Sequence, residues 1–434
     1  MSRLFKGGAA SMPDPDPTVK SSSKHFSRAG DYVRNALERR FRPERFVETD
    51  TTPCRIIFQD GLMSLRSYRA VALAGEHAEE LPKRLPLLLL PPLGVPAWVF
   101  DLMQSRSFVK YFALAGWDVY LVDWGSPGVV DAHLDLSHYV VNWMPKAISV
   151  VAEHAAAFPS EMGGEPGSAV PVTLLGYCMG GLLALMALGV ETGRTRAAPS
   201  SKPSQRVTQQ TIERAQSLVR NVVTIASPID FHDTTGILGK AVTLANKPLG
   251  FLARRFPSAW EQVSTLMPER YFHVPGPLVA QAFALTQPLG RLTSYLNLLW
   301  NLADRSYVAQ YTALSRWFDD MLDYPGGVVR NLLLEIGPEN QLIRGHMTLG
   351  GRSVDLGRVQ ANLLAIVGET DTLVSPSAVA SVMAIVRSHD KTLISAPGGH
   401  AGVFAGHSAQ GNTWAQIERW LSARARRDFL QHDA

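Results

Sequence analysis

Leu174–Leu188 reads LLGYCMGGLLALMAL. A short apolar run enters a glycine-flanked turn, the turn carries Cys178, and a run of small and apolar residues with helical character follows. Gly176, Cys178 and Gly180 reproduce the spacing of the G-x-S-x-G turn, with sulfur in place of oxygen. Such a strand-to-helix bend needs glycines because the residue at its apex is strained and its neighbours pack closely. The bend would lift Cys178 out of a sheet. It would also aim backbone N–H groups, that of Met179 among them, at the place where an oxyanion would form. The same five residues fit a buried cysteine in a packing turn, since a free cysteine behaves as a small hydrophobe. Partners for the sulfur decide between the two readings.

Outward from this stretch, apolar strands alternate with helices. Arg55–Leu73 alternates like a hairpin about Gln59-Asp60-Gly61, and Leu85–Leu90 is a short buried strand broken off by prolines. A helix near Ser107–Ala115, the strand WDVYLVDW and a helix over Ser137–Phe158 lead to the strand before Cys178. The strand LVRNVVTIASP, the strand ANLLAIVGETD, the strand in KTLISAPGGH and a closing helix TWAQIERWLSARARR follow downstream. This order predicts an α/β fold with a mostly parallel, doubly wound sheet. Residues 1–50 read as a partly disordered N-terminal extension, helical from about Asp31 to Phe41. Residues 51–230 and 358–434 read as the two parts of the core. In 231–357 strand signals vanish and Leu, Trp, Phe and Tyr recur at helical spacing, so this region reads as an inserted helical cap. Its aromatic-rich part, Tyr295–Phe318, would serve as a cover that keeps water out. The polar stretch Glu191–Ser217 reads as an exposed insertion.

The chain has 434 residues, 46% of them hydrophobic, enough for one large core or two modest ones. A net charge of +4 is mild at this length, and the basic residues near the termini read as solvated helix faces, so no nucleic-acid partner is expected. Two cysteines, Cys54 and Cys178, exclude a disulfide framework and point to a reduced, cytoplasmic setting. The first residues lack the apolar segment and cleavage site of a signal peptide. Val172–Val190 is apolar enough to raise the question of a membrane helix, which Gly176, Gly180 and Gly181 and the strand-then-helix character argue against. No metal-spaced Cys/His set, phosphate loop or dinucleotide fingerprint is present, so no metal or cofactor is expected.

A nucleophilic thiol needs a base, and the base needs an orienting group. Asp371 lies just past the strand LLAIVG, and His400 lies in APGGHAG just past the final strand. Nucleophile, acid and histidine thus follow the chain order of α/β-hydrolases. Asp371 follows Cys178 by 193 residues and His400 follows Asp371 by 29, and an inserted cap accounts for the long first interval. His407 competes as base. Asp123 and Asp230 also follow apolar strands, one before the elbow and one early after it, and His138 and His232 have no motif around them.

With these residues in place, the wider pattern resembles the polyhydroxyalkanoate synthases, most closely the class III catalytic subunit. The resemblance runs from about Thr51 to the last helix. It is carried by DVYLVDWGSPG, GYCMGG, ASPIDF, RWFDDMLDYPG, ENQLIRGHMTLGGRSVDL, GETDTLVSP and PGGHAGVFAG in that order. It implies an α/β-hydrolase fold and an acyltransferase acting on (R)-3-hydroxyacyl-CoA, with Cys178 as nucleophile, His400 as base and Asp371 as the triad carboxylate. CoA would leave and a growing polyester would be the second substrate. Backbone groups of Met179, Leu93 and Gly94 would form the oxyanion hole. Granule-surface association and a homodimer or a complex with a second synthase subunit are further implications. Two departures stand out: Thr372 where the family usually has histidine, and PPLGV (Pro91–Val95) where related sequences tend to read PPLIN. A second reading keeps the triad but ends in hydrolysis, as a thioesterase or intracellular polyester depolymerase. A third is a catalytically silent granule-binding or accessory subunit.

Overall fold

The computed structural model describes residues 17–69, 85–157, 170–192, 207–233, 267–286, 295–337, 340–345 and 347–432, with short runs between 235 and 255. The expectations for the first 16 residues, and for 193–206 of the polar stretch, fall outside the described residues.

The hairpin signal around Gly61 produces β1 (Arg55–Asp60) and β2 (Met63–Ser67), paired antiparallel, with Gly61 at φ +61° in the turn. The apolar runs become β3 (Pro86–Leu90), β4 (Asp118–Asp123), β5 (Val172–Tyr177) and β6 (Val219–Ile225). Two three-residue strands follow, β7 (Met347–Leu349) and β8 (Arg352–Val354), and then β9 (Asn362–Gly368) and β10 (Lys391–Ala396). One eight-stranded sheet runs in the order β1-β2-β4-β3-β5-β6-β9-β10. From β4 to β10 every pairing in it is parallel. Strands buried on both faces need continuous apolar runs rather than alternation. Pro86–Leu90 and Val172–Tyr177 obey this, with every residue buried. Leu87–Leu90 are each 0% exposed, and burying such a side chain stabilises by about 2 kcal/mol.

Helices cover the sheet. Ser107 caps the helix Phe108–Leu114 by accepting the Lys110 N–H at 3.0 Å. The helix Met179–Gly189 is buried at every residue, which suits a sequence that is apolar all round. Val172–Val190 is thus six residues of strand and eleven of helix, and no helix among the described residues is long and apolar enough to cross a membrane.

Two expectations need correction. Part of the polar stretch taken as an exposed insertion is the helix Gln209–Leu218, which buries Ile212 and Ala215 and precedes β6. The region expected to hold no strands contains the β7–β8 hairpin, closed by Gly350 and Gly351 at φ +55° and +78°. The helix Pro17–Phe41 also begins earlier than the expected Asp31.

The chain divides into two compact units, one of Met1–Glu48 with Pro288–Ser315, the other of Thr49–Gln287 with Arg316–Ala434. In the first, Phe46, Leu298, Leu302 and Val308 form a small apolar cluster, and Asn35 Nδ2 donates to the Leu302 carbonyl at 2.8 Å. The second contains the sheet and all the residues considered next.

Candidate active site

Parallel strands present their carboxyl ends along one edge, and ligands bind outside such edges in open α/β sheets. β5 ends at Tyr177, β9 at Gly368 and β10 at Ala396. The register pairs Tyr177 with Ile225, Ile225 with Ile366, and Gly368 with Ala396, so these ends are level. Cys178, Asp371 and His400 lie just beyond them.

Cys178 adopts φ 51°, ψ −121°, and its N–H donates to the Ile225 carbonyl at 2.8 Å. A non-glycine residue there stores about 1–3 kcal/mol of strain, which the surroundings must hold. They do so by close approach. A Cβ on Gly176 would overlap the backbone of Gly180 and Gly181, and one on Gly180 would overlap the Leu90 carbonyl. Met179 opens the buried helix, where first-turn N–H groups lack intrahelical acceptors and carry partial positive charge.

Asp371 and His400 are 5% and 7% exposed. The Asp371 carboxylate is fixed at both oxygens. Oδ1 accepts the N–H groups of Leu373 at 2.9 Å and Val374 at 3.0 Å, and Oδ2 lies 2.8 Å from His400 Nδ1. The ring's other partner is the Cys178 sulfur. Burial alone would push the imidazole down. The charge and hydrogen bond of the sulfur, together with those of Asp371, overcome it and lift His400 to about 10. An acid held at both oxygens, an imidazole between acid and sulfur, and helix N–H groups beside the sulfur can transfer an acyl group.

Tyr177 was not singled out by sequence. Its ring stacks on Phe404 at 4.4 Å and lies 5.4 Å from the His400 ring, and its hydroxyl donates to the His400 carbonyl at 3.2 Å. Burial, then the Cys178 and Asp371 charges, raise its phenol well above the usual range. Trp317 lies 6.0 Å from Tyr177 and 6.2 Å from Phe404, giving the site an aromatic wall. The packing of an apolar strand-end residue against an imidazole loop leaves no spacing signal.

Leu93 and Gly94 lie in the loop after β3, and the carbonyls of Leu90, which ends the strand, and Pro91, which starts the loop, occupy the space a Cβ on Gly180 would need. Trp124 Nε1 donates to the Pro91 carbonyl at 2.9 Å and the Tyr324 hydroxyl to that of Leu93 at 2.7 Å.

The competing residues are engaged elsewhere. His407 Nδ1 lies 3.2 Å from Arg106 Nη2, and Asp123 pairs with Arg66 at 2.5 Å. Asp230 accepts from Asn340 Nδ2 at 2.7 Å, His138 sits 2.7 Å from Asp135, and His232 Nε2 lies 2.6 Å from the Gly337 carbonyl. Among the described residues no group of three or more His, Cys, Asp or Glu side chains is placed to hold a metal ion.

No family model matches the chain. It is similar to the poly(3-hydroxyalkanoate) polymerase subunit PhaC of Allochromatium vinosum, with 24% identity over 94% of this chain and 98% of that subunit. The subunit of the same name from Haloferax mediterranei is 25% identical over 87% of this chain, which spans 65% of that longer relative. The Synechocystis subunit is 24% identical over 87% of this chain and 86% of its own length. Among solved structures, a soluble variant of the Saccharomyces cerevisiae monoglyceride lipase overlaps 86% of this chain and 95% of its own, with 13% identity and a TM-score of 0.48. With a mostly parallel sheet, a strained turn at Cys178 and relatives of one name along most of its length, the chain has the α/β-hydrolase fold and is a homologue of the poly(3-hydroxyalkanoate) polymerase subunits.

Proposed function

We propose that this chain is an acyltransferase that polymerises (R)-3-hydroxyacyl-CoA thioesters into polyhydroxyalkanoate through a thioester on Cys178. The observation that carries the reading is the strained Cys178 beside an imidazole whose far side is held by a buried carboxylate. In the first half-reaction the Cys178 thiolate adds to the thioester carbonyl, forming a C–S bond. The Met179 and Leu93–Gly94 amides stabilise the oxyanion. CoA leaves as the tetrahedral adduct collapses, taking a proton from His400. In the second half-reaction a hydroxyl group adds to the cysteinyl thioester and gives its proton to His400. An ester bond forms and the sulfur is released as thiolate. Asp371 holds the imidazole in the orientation and tautomer that both steps need.

Sulfur suits this cycle because a thiolate is both a good nucleophile and a good leaving group toward another acceptor. Water must be kept out for transfer to exceed hydrolysis, and the Tyr177, Phe404 and Trp317 rings supply a dry wall. The proposal includes no cofactor, a cytoplasmic setting, association with the product's surface, and action as a homodimer or with a second subunit.

The test is to supply (R)-3-hydroxybutyryl-CoA to the purified chain, alone and with candidate partner subunits. CoA release and insoluble polyester are followed together. Polyester in step with CoA supports the reading. Soluble hydroxyacid alone would make the chain a hydrolase, and no CoA release under any of these conditions would overturn acyl transfer.

A further inference from the structure

We propose that Tyr324 is a positioning residue that sets the second oxyanion donor, orienting the Leu93–Gly94 peptide so that the Gly94 N–H faces the acyl oxygen. The inference rests on the acyl-transfer reading of Cys178 and identifies one of its working parts.

Pro91 and Pro92 carry no N–H, so the first amides the loop can offer are those of Leu93 and Gly94. The loop's carbonyls are taken by donors from elsewhere. Trp124 Nε1 holds that of Pro91 at 2.9 Å, the Tyr324 hydroxyl that of Leu93 at 2.7 Å, and the Leu322 N–H that of Gly94 at 2.9 Å. In a planar trans peptide the C=O of one residue and the N–H of the next point in opposite directions. A hydroxyl gripping the Leu93 carbonyl therefore turns the Gly94 N–H away from Tyr324. That amide, not the Leu93 amide, belongs to the gripped peptide.

Gly94 is fitted to this role twice over. Its φ of +73° favours glycine, and the Tyr324 ring occupies the place where a Cβ would be. Any side chain at position 94 would have to displace the Tyr324 ring. Tyr324 is itself immobilised. Its N–H and C=O exchange hydrogen bonds with Val274 at 2.8 and 3.1 Å. The preceding Asp323 accepts from the Gly276 N–H at 2.7 Å and lies 2.9 Å from His273 Nε2. Burial, then the charges of Cys178 and Tyr139, push the Tyr324 phenol up, as expected of a hydroxyl close to the sulfur that stays protonated to donate.

Two reactions of the same sulfur isolate this role. Acylation by p-nitrophenyl acetate passes through a tetrahedral oxyanion, whereas alkylation by iodoacetamide displaces iodide at a saturated carbon and does not. Tyr324→Phe keeps the ring on Gly94 and removes only the hydroxyl. Losing an oxyanion donor outright costs about 10²–10³ in rate, so loosening one should lower single-turnover acylation about tenfold. Alkylation should stay within about twofold, because the sulfur and His400 are untouched. A fall in both reactions together, or an unchanged ratio, would overturn the inference. Should Tyr324→Phe fail to fold, 3-fluorotyrosine at position 324 keeps the ring and strengthens the donor, and the ratio should then rise; no rise would overturn it. A native chain that releases no p-nitrophenolate overturns the acyl-transfer reading as well. One that does so, with a ratio indifferent to Tyr324, overturns only the role of this tyrosine.

Discussion

Cys178 and Ala226 leave neighbouring strands with almost the same positive φ. Their φ angles are 51° and 50°, and each donates its N–H to the next strand, to the Ile225 carbonyl at 2.8 Å and the Ile366 carbonyl at 2.9 Å. Around Cys178 the chain continues into glycines and a buried helix, with the imidazole of His400 beside it. Around Ala226 it continues into Ser227 and Pro228, and the methyl group is fully buried. A left-handed exit is therefore a way of leaving this sheet edge, not in itself a mark of chemistry. What distinguishes β5 is the company at its end.

The largest effect tests that distinction directly. Cys178→Ala should lower CoA release by about 10³-fold or more, as removal of a covalent nucleophile does. Adding Ala226→Cys to that variant should restore nothing measurable in the same assay. Recovery would mean that backbone strain alone creates the nucleophile.

Next comes the company itself. Asp371→Asn leaves the shape of the loop but removes the acceptor for His400 Nδ1, and CoA release should fall by about 10²–10⁴-fold. Iodoacetamide alkylation should slow in parallel, which a stopped-flow or quench assay would read.

The same pairing makes a pH prediction. His400 lies at about 10 in the folded chain, above its unfolded value of about 6.5. A group raised on folding contributes stability that is whole below pH 6.5 and lost as the pH climbs through 10. Urea midpoints of the native chain and His400→Gln should differ most at pH 6 and converge toward pH 10. A gap that widened with pH would contradict the arrangement.

The smallest effect belongs to the silent exit. Ala226→Gly relieves a left-handed residue, worth about 1–2 kcal/mol, and adds glycine's backbone entropy, about 0.5–1 kcal/mol. The urea midpoint should move little, with activity unchanged. A large loss of activity would show that the β6 exit does more than end a strand.

Much of this was legible because apolar runs and glycine turns are local signals. The LLGYCMGG stretch, the carboxylate in GETDT and the histidine in PGGHAG each announce a strand end, and the parallel order brings such ends to one edge. Other features left no local trace. Tyr324 acts on a backbone carbonyl 231 residues away, so no side-chain pairing advertises it. The helix Gln209–Leu218 buries only Ile212 and Ala215 within a polar run, too little for a periodic signal. The strands β7 and β8 have three residues each, shorter than any alternation can reveal.

The helix that begins at Met179 is buried along its whole length. Its central amides should therefore be among the slowest in the molecule to exchange with deuterium. Functional segments are often drawn from the least protected parts of a protein, yet here the proposed nucleophile is tethered to what should be its slowest-exchanging segment. Adaptation to substrates of different bulk would then fall to the loops bearing Gly94, Asp371 and His400, while the sulfur keeps one fixed address.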